Sequence, residues 1–155
     1  MAYVRIAKLR DALELAPTLR KADLAELAAS TTASPLKCLV EPFTDDKAQN
    51  YAMVGDEEEI VGMFGVRPAP EISNGIVWML TSEKVYAKHR KQFVRECRPY
   101  TAILNVQYDR IYNYVDARNK KAIRWLKFVG FTIDKTPYPV GPDHTPFLFL
   151  YRLRG

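Results

Sequence analysis

The hydrophobic period of the chain changes at Ser82. The segment Gly75–Thr81 (GIVWMLT) is almost continuously apolar, which is typical of a strand that is buried on both faces of a sheet. From Tyr86 to Leu104 the apolar residues instead lie three, four or seven positions apart. That spacing predicts one face of a helix, which Pro99 should kink or split. A buried strand therefore leads directly into an amphipathic helix.

Strand-like and helical patterns also alternate before this point. Residues 3–8 alternate between apolar and polar and predict a short strand. Residues 9–29 predict a helical region that Pro17 divides, and residues 35–43 predict a further short helix that opens on its proline. Two strand candidates follow, Gln49–Gly55 and Ile60–Val66, with the acidic turn DEEE between them. The apolar face of the first helical region is indicated by Leu9, Leu13, Leu24 and Leu27.

The remainder of the chain predicts Arg110–Val115 and Phe131–Lys135 as strands, with a short helix Asn119–Phe128 between them. Gly130 is the expected left-handed cap of that helix. Residues 136–146 contain four prolines and predict an irregular loop before a final strand, Phe147–Arg154. The order β-α-α-β-β-β-α-β-α-β-β is a three-strand meander that feeds a βαβαβ unit. It predicts a single α/β or α+β domain over residues 1–155, with a mixed sheet flanked by helices.

The excess positive charge is confined to one part of the chain. Residues 1–83 hold 8 Lys or Arg against 13 Asp or Glu, whereas residues 84–127 hold 12 against 3. We call residues 84–127 the basic segment. Such a segment favours an anionic partner, which could be a phosphorylated cofactor, nucleic acid or an acidic protein, unless it is only the solvated face of a helix.

Composition argues against several other classes of protein. The sequence contains no run of about 18 apolar residues, so no transmembrane helix is expected. The first residues lack the apolar region of a secretory signal. Cys38 and Cys97 are too few for a disulfide scaffold, which favours the cytoplasm. His89 and His144 lack Cys or His companions at ligand spacing, so no metal site is expected.

The stretch NYVDARNKKAIRWLKFVGF (residues 113–131), combined with the element order, resembles the GNAT superfamily of N-acetyltransferases. Members of that superfamily commonly carry a strand, an Asn, a helix with Ala and aromatic residues, and Gly-Phe before the next strand. The matching residues here are Val115, Asn119, Ala122, Trp125, Gly130 and Phe131.

A narrower resemblance covers roughly residues 76–135. The stretches VWMLTSEKV, KHRKQF, YNYVDARN and IRWLKFVGF are similar to the acetyltransferase-like internal virion protein A family of short-tailed phages. This resemblance implies a phage-encoded protein with a GNAT-type fold, which would act in the host cytoplasm or in association with the virion.

The GNAT resemblance implies acetyl-CoA as co-substrate, with its diphosphate at the start of the helix that follows the third meander strand. A helix start offers free backbone N–H groups and the positive end of the helix dipole to such an anion. In this chain the place falls inside the basic segment. We call the side chains expected there the cationic cluster, which consists of Lys84, Lys88, His89, Arg90 and Lys91.

The resemblance also implies how the acetyl group is held. A backbone N–H from Met79, Leu80 or Thr81 would polarise the thioester carbonyl where the third meander strand parts from its neighbour. Asn119 would touch the pantetheine or amide part of CoA, or would cap the helix that it precedes, or both.

The sequence departs from the GNAT pattern in two places. No glycine lies between Gly75 and Gly130, although the usual phosphate loop contains glycines that let the backbone approach the anion closely. Leu126 lies where many members have a tyrosine general acid, a loss that a thiolate leaving group tolerates because thiol pKa values are near about 8.5. As general base, Glu83 and Asp116 at the ends of the two central strands are candidates, unless they cap helices or turns.

Three functions remain open at this point. The first is an acetyl-CoA-dependent N-acetyltransferase that acts on an amine of a protein or small molecule, with an acceptor pocket from residues 30–48 and 136–146. The second is a catalytically inactive GNAT-like phage protein that binds a host factor or the virion. The third, nucleic-acid binding by the basic segment, is the least favoured because most aromatic residues there fit the core periodicity.

Overall fold

The computed structural model describes residues 2–155 and arranges them around one seven-stranded mixed sheet in the order β1-β2-β3-β4-β5-β7-β6. The strands are β1 Tyr3–Ile6, β2 Gln49–Val54, β3 Ile60–Pro68, β4 Asn74–Thr81, β5 Arg110–Asp116, β6 Thr132–Val140 and β7 Thr145–Leu153. The helices are α1 Leu9–Leu15, α2 Lys21–Ser30, α3 Pro35–Val40, α4 Lys84–Ala87, α5 Arg90–Asn105 and α6 Lys120–Phe128. Short 3₁₀ turns follow α1 and α3. None of these helices is long and apolar enough to cross a membrane.

Neighbouring strands pair antiparallel throughout the sheet except for β4 and β5, which are parallel. A parallel pair needs a crossover connection, and α4 with α5 supplies it. Two cores result. The core on the α5 and α6 side includes Phe93 and Trp125, while the core on the α1 to α3 side includes Leu15 and Leu39. The predicted α/β class, the mixed sheet and the order of the elements are confirmed.

Residues 136–146 differ from the expected irregular loop. β6 continues through the prolines to Val140, and β7 begins at Thr145, so that only a tight turn separates the two strands. A proline cannot donate a ladder hydrogen bond, but β6 is an edge strand with one free side, where proline is tolerated. The pairing of β6 with β7 shifts register between Ile133 and Pro137, which accommodates the irregularity.

Pro99 was expected to kink or split the long helix, but α5 runs without interruption from Arg90 to Asn105. The break lies earlier, at Lys88 and His89, which separate α4 from α5. Pro99 is solvent-exposed, so water can reach the carbonyl that its missing N–H leaves unpaired. The helix is held together by its buried side, which includes Phe93 and Leu104.

Of the apolar face expected in the first helical region, only Leu27 packs against the core. Leu9 and Leu13 are exposed on α1, where Ala12 and Leu15 are buried instead. On α2 the exposed leucine is Leu24, and the buried side chain is that of Asp23. A charged side chain thus takes a core position, and its hydrogen-bond partners explain why.

Candidate functional site

β4 and β5 pair over only three residues before they separate. The last pair is Ile76 with Tyr112, after which β4 continues to Thr81 and β5 to Asp116 without pairing to each other. We call this gap the fork. The Asn113 side-chain amide donates to the Val77 carbonyl across the base of the fork. The expected parting of the two central strands is therefore present.

The β4 side of the fork presents backbone groups to the gap. In an antiparallel pair, alternate residues turn their N–H and C=O groups toward one neighbour. Ser82 donates to Val61 of β3 at 2.8 Å, whereas the Thr81 carbonyl accepts from the Arg20 N–H on the opposite side at 2.9 Å. By the same alternation, Val77 and Met79 face the fork and Leu80 faces β3. Of the three predicted carbonyl-polarising positions, Met79 has its N–H directed into the gap.

Carboxylates from α2 satisfy backbone donors that the separation of the strands exposes. One Asp23 oxygen accepts from the Thr81 N–H at 2.9 Å and from its hydroxyl at 3.1 Å. Glu26, one helical turn later, accepts from the Asp116 N–H at 2.8 Å. Because an unpaired buried N–H is costly, these acceptors explain why α2 turns its acidic side toward the sheet.

Asp23 is fully engaged in structural contacts. Its second oxygen accepts from Arg20 at 3.1 Å and from the Asn119 amide at 3.2 Å. Burial raises the pKa of Asp23, although the hydrogen bonds from Thr81 and the Arg20 charge act in the opposite direction. The guanidinium of Arg20 also lies 4.4 Å from the centroid of the Tyr86 ring. This network joins α2, β4, α6 and α4.

Glu26 is different because it borders open space. It contributes to the walls of two cavities that meet at the fork. Burial, with a smaller contribution from the charge of Asp23, raises its pKa to about 7 against the lowering effect of the hydrogen bond from the Asp116 N–H. A carboxyl group with this pKa is partly ionised at neutral pH and can both accept and release a proton, as a general base must.

The cavity on the α5 and α6 side encloses about 80 Å³, and we call it the apolar cleft. Val77, Met79, Trp125 and Leu126 belong to its walls. The cavity on the α1 to α3 side encloses about 490 Å³, and we call it the acidic pocket because Glu26, Glu41 and Asp45 line it. Both cavities share the residues that border the fork, namely Glu26, Trp78, Met79, Asn113 and Tyr114. The fork therefore connects the two faces of the sheet.

The two predicted general bases lie beside the fork but line neither cavity. The Glu83 side chain is largely exposed, with its carboxylate 3.5 Å from Arg20 and 3.9 Å from Lys121. Asp116 is buried and is paired with Arg118 at 2.6 Å. Burial acts to raise the pKa of Asp116, but the Arg118 hydrogen bonds outweigh it and lower the pKa. Asp116 is therefore a weaker proton acceptor than Glu26.

The cationic cluster also lies outside both cavities. Lys84 is 3.3 Å from Glu59, and the buried His89 ring is 3.8 Å from Asp56, so these two side chains contact the turn between β2 and β3. Lys88, Arg90 and Lys91 are exposed around the start of α5. Only these three remain placed to meet an anion at the surface.

Asn119 does not cap α6 with its side chain, which corrects one of its two expected roles. Its side chain is buried in the Asp23 network, where it donates to Asp23 and its oxygen lies 3.4 Å from Arg20. Sequence reasoning missed Arg20, Asp23 and Glu26 as members of the site. The spacing of three residues between Asp23 and Glu26 was a signal, because it places both on one side of α2.

Among residues 2–155, no group of three or more His, Cys, Asp or Glu side chains converges as a metal site would. The site instead consists of an apolar cleft, a backbone N–H and a carboxyl group of raised pKa. Such a set can hold a thioester, stabilise a developing oxyanion and remove a proton from an amine.

Part of the sequence matches a known family model. Residues 72–136 match the family model of the bacteriophage T7 probable scaffold protein Gp13. No protein of curated function matches the sequence significantly.

Solved structures resemble the fold over nearly its whole length. A GNAT-family acetyltransferase from Streptococcus pneumoniae has a TM-score of 0.68 at 15% identity, with 100% of both chains covered. Spermidine N-acetyltransferase from Vibrio cholerae, in complex with CoA and spermine, has a TM-score of 0.70 at 12% identity over 99% of this chain and 95% of that one. Ribosomal-protein-S5-alanine acetyltransferase from Vibrio fischeri has a TM-score of 0.66 at 18% identity over 99% and 93%. The chain therefore has the GNAT fold.

Proposed function

We propose that the protein is an acetyl-CoA-dependent N-acetyltransferase that transfers the acetyl group to an amine inside the fork. The observation that carries this proposal is the position of Glu26, a partly ionised carboxyl group, at the junction of an apolar cleft and an acidic pocket. The CoA complex of a protein with a similar fold supports the choice of co-substrate.

The apolar cleft suits the acetyl end of acetyl-CoA. Its walls include Val77, Leu126 and Val129, which offer the acetyl methyl group an apolar surface. With no cation in the walls, the diphosphate would have to lie outside the cleft, where Lys88, Arg90 and Lys91 are exposed. No glycine lies between Ser82 and His89, so the backbone there is less able to approach the diphosphate closely. Contact between the diphosphate and these cationic side chains is therefore favoured.

The reaction follows from the positions of these groups. The amine nitrogen attacks the thioester carbonyl carbon, whose oxygen receives a hydrogen bond from the Met79 N–H as negative charge develops. The carbon–sulfur bond then breaks and the thiolate of CoA leaves. Glu26 takes the proton that the nitrogen loses. Leu126 cannot protonate the leaving sulfur, so the sulfur departs as a thiolate and takes a proton from water.

Thiol release from acetyl-CoA in the presence of an amine tests this proposal, with the wild-type protein compared to Glu26→Gln. Loss of a general base lowers kcat by roughly 100-fold or more, and the wild-type rate should rise with pH through about 7. Glu14→Gln on α1 is the matched control, because Glu14 bonds to the Ile60 N–H away from the fork. Absence of both thiol release and acetyl-CoA binding by calorimetry would contradict the proposal.

A second candidate is a phage protein that has the GNAT fold but acts only by binding. The match of residues 72–136 to a phage scaffold family favours it, as do the missing glycines and Leu126. Such a protein would associate with the virion or with a host factor in the cytoplasm. It would be recovered in purified particles, or bound to its host partner, without releasing thiol from acetyl-CoA.

A further inference from the structure

We propose that the acceptor amine is a lysine side chain of a partner protein, whose ammonium enters the acidic pocket while its flanking residues lie on a partly exposed aromatic face of the sheet. This inference rests on the proposed function, because the fork supplies the acetyl group. It adds the class of substrate and the surface that recognises it.

The charge of the acidic pocket favours a cation. Glu26, Glu41 and Asp45 line it, whereas Arg67 is the single cationic side chain among its lining residues. Trp78 and Leu80 contribute apolar wall. A lysine has the matching form, since its four-carbon chain can lie along apolar walls while its ammonium reaches a carboxylate. The ammonium loses one proton to water before attack, and Glu26, which lines both the pocket and the cleft, accepts the second proton as the amide forms.

A large aromatic surface adjoins this pocket. On the side of the sheet where α1 to α3 pack against β2, β3 and β4, the strands β5, β7 and β6 carry a group of aromatic side chains. Tyr114 lies 5.2 Å from Phe149 and 5.9 Å from Tyr138 between ring centroids. We call this surface the aromatic face, and its members are Tyr112, Tyr114, Tyr138, Phe149 and Tyr151.

The aromatic face is accessible and continuous with the pocket. Tyr114 and Tyr138 are 39% and 41% exposed, and Tyr114 also lines the acidic pocket. Rings that combine an apolar body with a hydroxyl are enriched where proteins meet other proteins. A free polyamine would use the carboxylates and leave this face unused. A lysine within a protein brings apolar neighbours that can cover it.

The edge of the sheet restricts how such a partner can dock. β6 is the outermost strand and carries Pro137 and Pro139, which lack N–H donors. An added strand would therefore find an incomplete ladder at this edge. We infer that the partner contacts the rings of the aromatic face with its side chains instead of extending the sheet.

Steady-state thiol release with three acceptors tests the inference. The first is a capped heptapeptide with a central lysine flanked by leucine and valine, the second is the same peptide with norleucine at the centre, and the third is spermidine. We expect kcat/KM for the lysine peptide to exceed that for spermidine by about 10-fold or more, since aromatic anchors at an interface are each worth about 1–2 kcal/mol. The norleucine peptide should not react.

Paired variants assign the effect to the two surfaces. The double variant Tyr138→Ser with Phe149→Ser, neither of which lines the two cavities, should raise KM for the peptide by about 10-fold and leave KM for spermidine within about 2-fold. Glu41→Gln with Asp45→Asn should raise KM for both acceptors by about 5-fold, with kcat little changed. The controls are Phe128→Ser, an exposed ring on α6, and Glu57→Gln in the turn between β2 and β3. Thermal melting verifies that each variant is folded.

The outcomes separate the two proposals. If acetyl-CoA binds and spermidine reacts as well as the peptide, or if the aromatic variants act equally on both acceptors, the lysine inference is wrong and the proposed function stands. If acetyl-CoA neither binds nor releases thiol with any acceptor, the proposed function fails and the inference fails with it.

Discussion

The carboxylates of α2 and the cations of the cationic cluster differ in how deeply the fold buries them. Asp23 is buried and Glu26 half-buried at the fork, and each is fixed by backbone N–H groups of the separating strands. Lys88, Arg90 and Lys91 are exposed. The cationic cluster therefore contributes mainly surface charge, whereas two acids on an alanine-rich helix are held at the fork.

The difference shows what fixes a charge inside a protein. A buried charge is tolerated when it accepts hydrogen bonds from donors that would otherwise be unpaired. The fork exposes such backbone N–H donors because β4 and β5 stop pairing after three residues. No buried group depends on a surface cation for a hydrogen bond, and dissolved salt screens its charge. Four changes should separate these two kinds of charge.

The largest effect is expected for Asp23→Ala. Removal of this carboxylate leaves the Thr81 N–H and the Asn119 amide N–H without an acceptor and deprives the buried Arg20 guanidinium of its anionic partner. Loss of one partner from such a network costs about 3–5 kcal/mol in the free energy of unfolding. Urea denaturation followed by tryptophan fluorescence measures it. Asp23→Asn keeps an acceptor and should lose less, and a loss below about 1 kcal/mol for Asp23→Ala would contradict the assigned role.

Glu26 should lower stability as the pH rises. Its folded pKa of about 7 lies above the ordinary value of 4.5, so the folded state binds the proton more tightly than the unfolded chain. The free energy of unfolding from this group is therefore highest below about pH 4.5 and decreases up to about pH 7. The decrease is at most about 3 kcal/mol. Glu26→Gln should remove this slope and be the more stable protein at pH 8, as denaturant titrations at several pH values would show.

A smaller effect is expected from the exposed cations. The triple variant Lys88→Ser, Arg90→Ser and Lys91→Ser should raise KM for acetyl-CoA by about 10-fold at low salt, and the difference should shrink at about 1 M NaCl. Lys8→Ser, Lys127→Ser and Lys135→Ser together remove the same charge elsewhere on the surface and serve as the control. Equal KM values of the two triple variants for acetyl-CoA would show that these three cations do not bind the co-substrate.

The smallest change is expected for Lys84→Ala. Lys84 pairs with Glu59 at 3.3 Å on the surface, and exposed pairs of this kind are worth less than about 1 kcal/mol. The free energy of unfolding should fall by about 0.5 kcal/mol or less, and KM for acetyl-CoA should stay within about 2-fold. A larger rise in KM would show that the partner of Lys84 is the co-substrate and not Glu59.

Local patterns predicted most of the fold. The three-strand meander, the helix from Lys120 to Phe128 and the positive φ of 114° at Gly130 agree with expectation, because each depends on residues close together in the sequence. The strand predicted at Phe131–Lys135 is present, but its continuation to Val140 was missed because the prolines there are acceptable only at a sheet edge. Which strand forms the edge depends on the complete strand order.

The site was less predictable than the fold. The separation of β4 and β5, beside Met79, Leu80 and Thr81, was expected from the resemblance of residues 113–131 and of the element order. The contacts of Asp23 and Glu26 with the strands were not expected, because Leu24 and Leu27 indicated an apolar side of α2, of which only Leu27 packs against the core. Helical periodicity identifies which residues share a side of the helix, but not which groups of other elements pack against that side.

The sequence by itself determined the elements, their order and the segregation of positive charge into residues 84–127, because these depend on local spacing and composition. Only the tertiary structure decided which charges became part of the site. Backbone donors at Thr81 and Asp116 lose their strand partners only once the sheet is assembled. The carboxylates that satisfy them, more than 50 residues earlier in the chain, acquire burial and a raised pKa from that assembly.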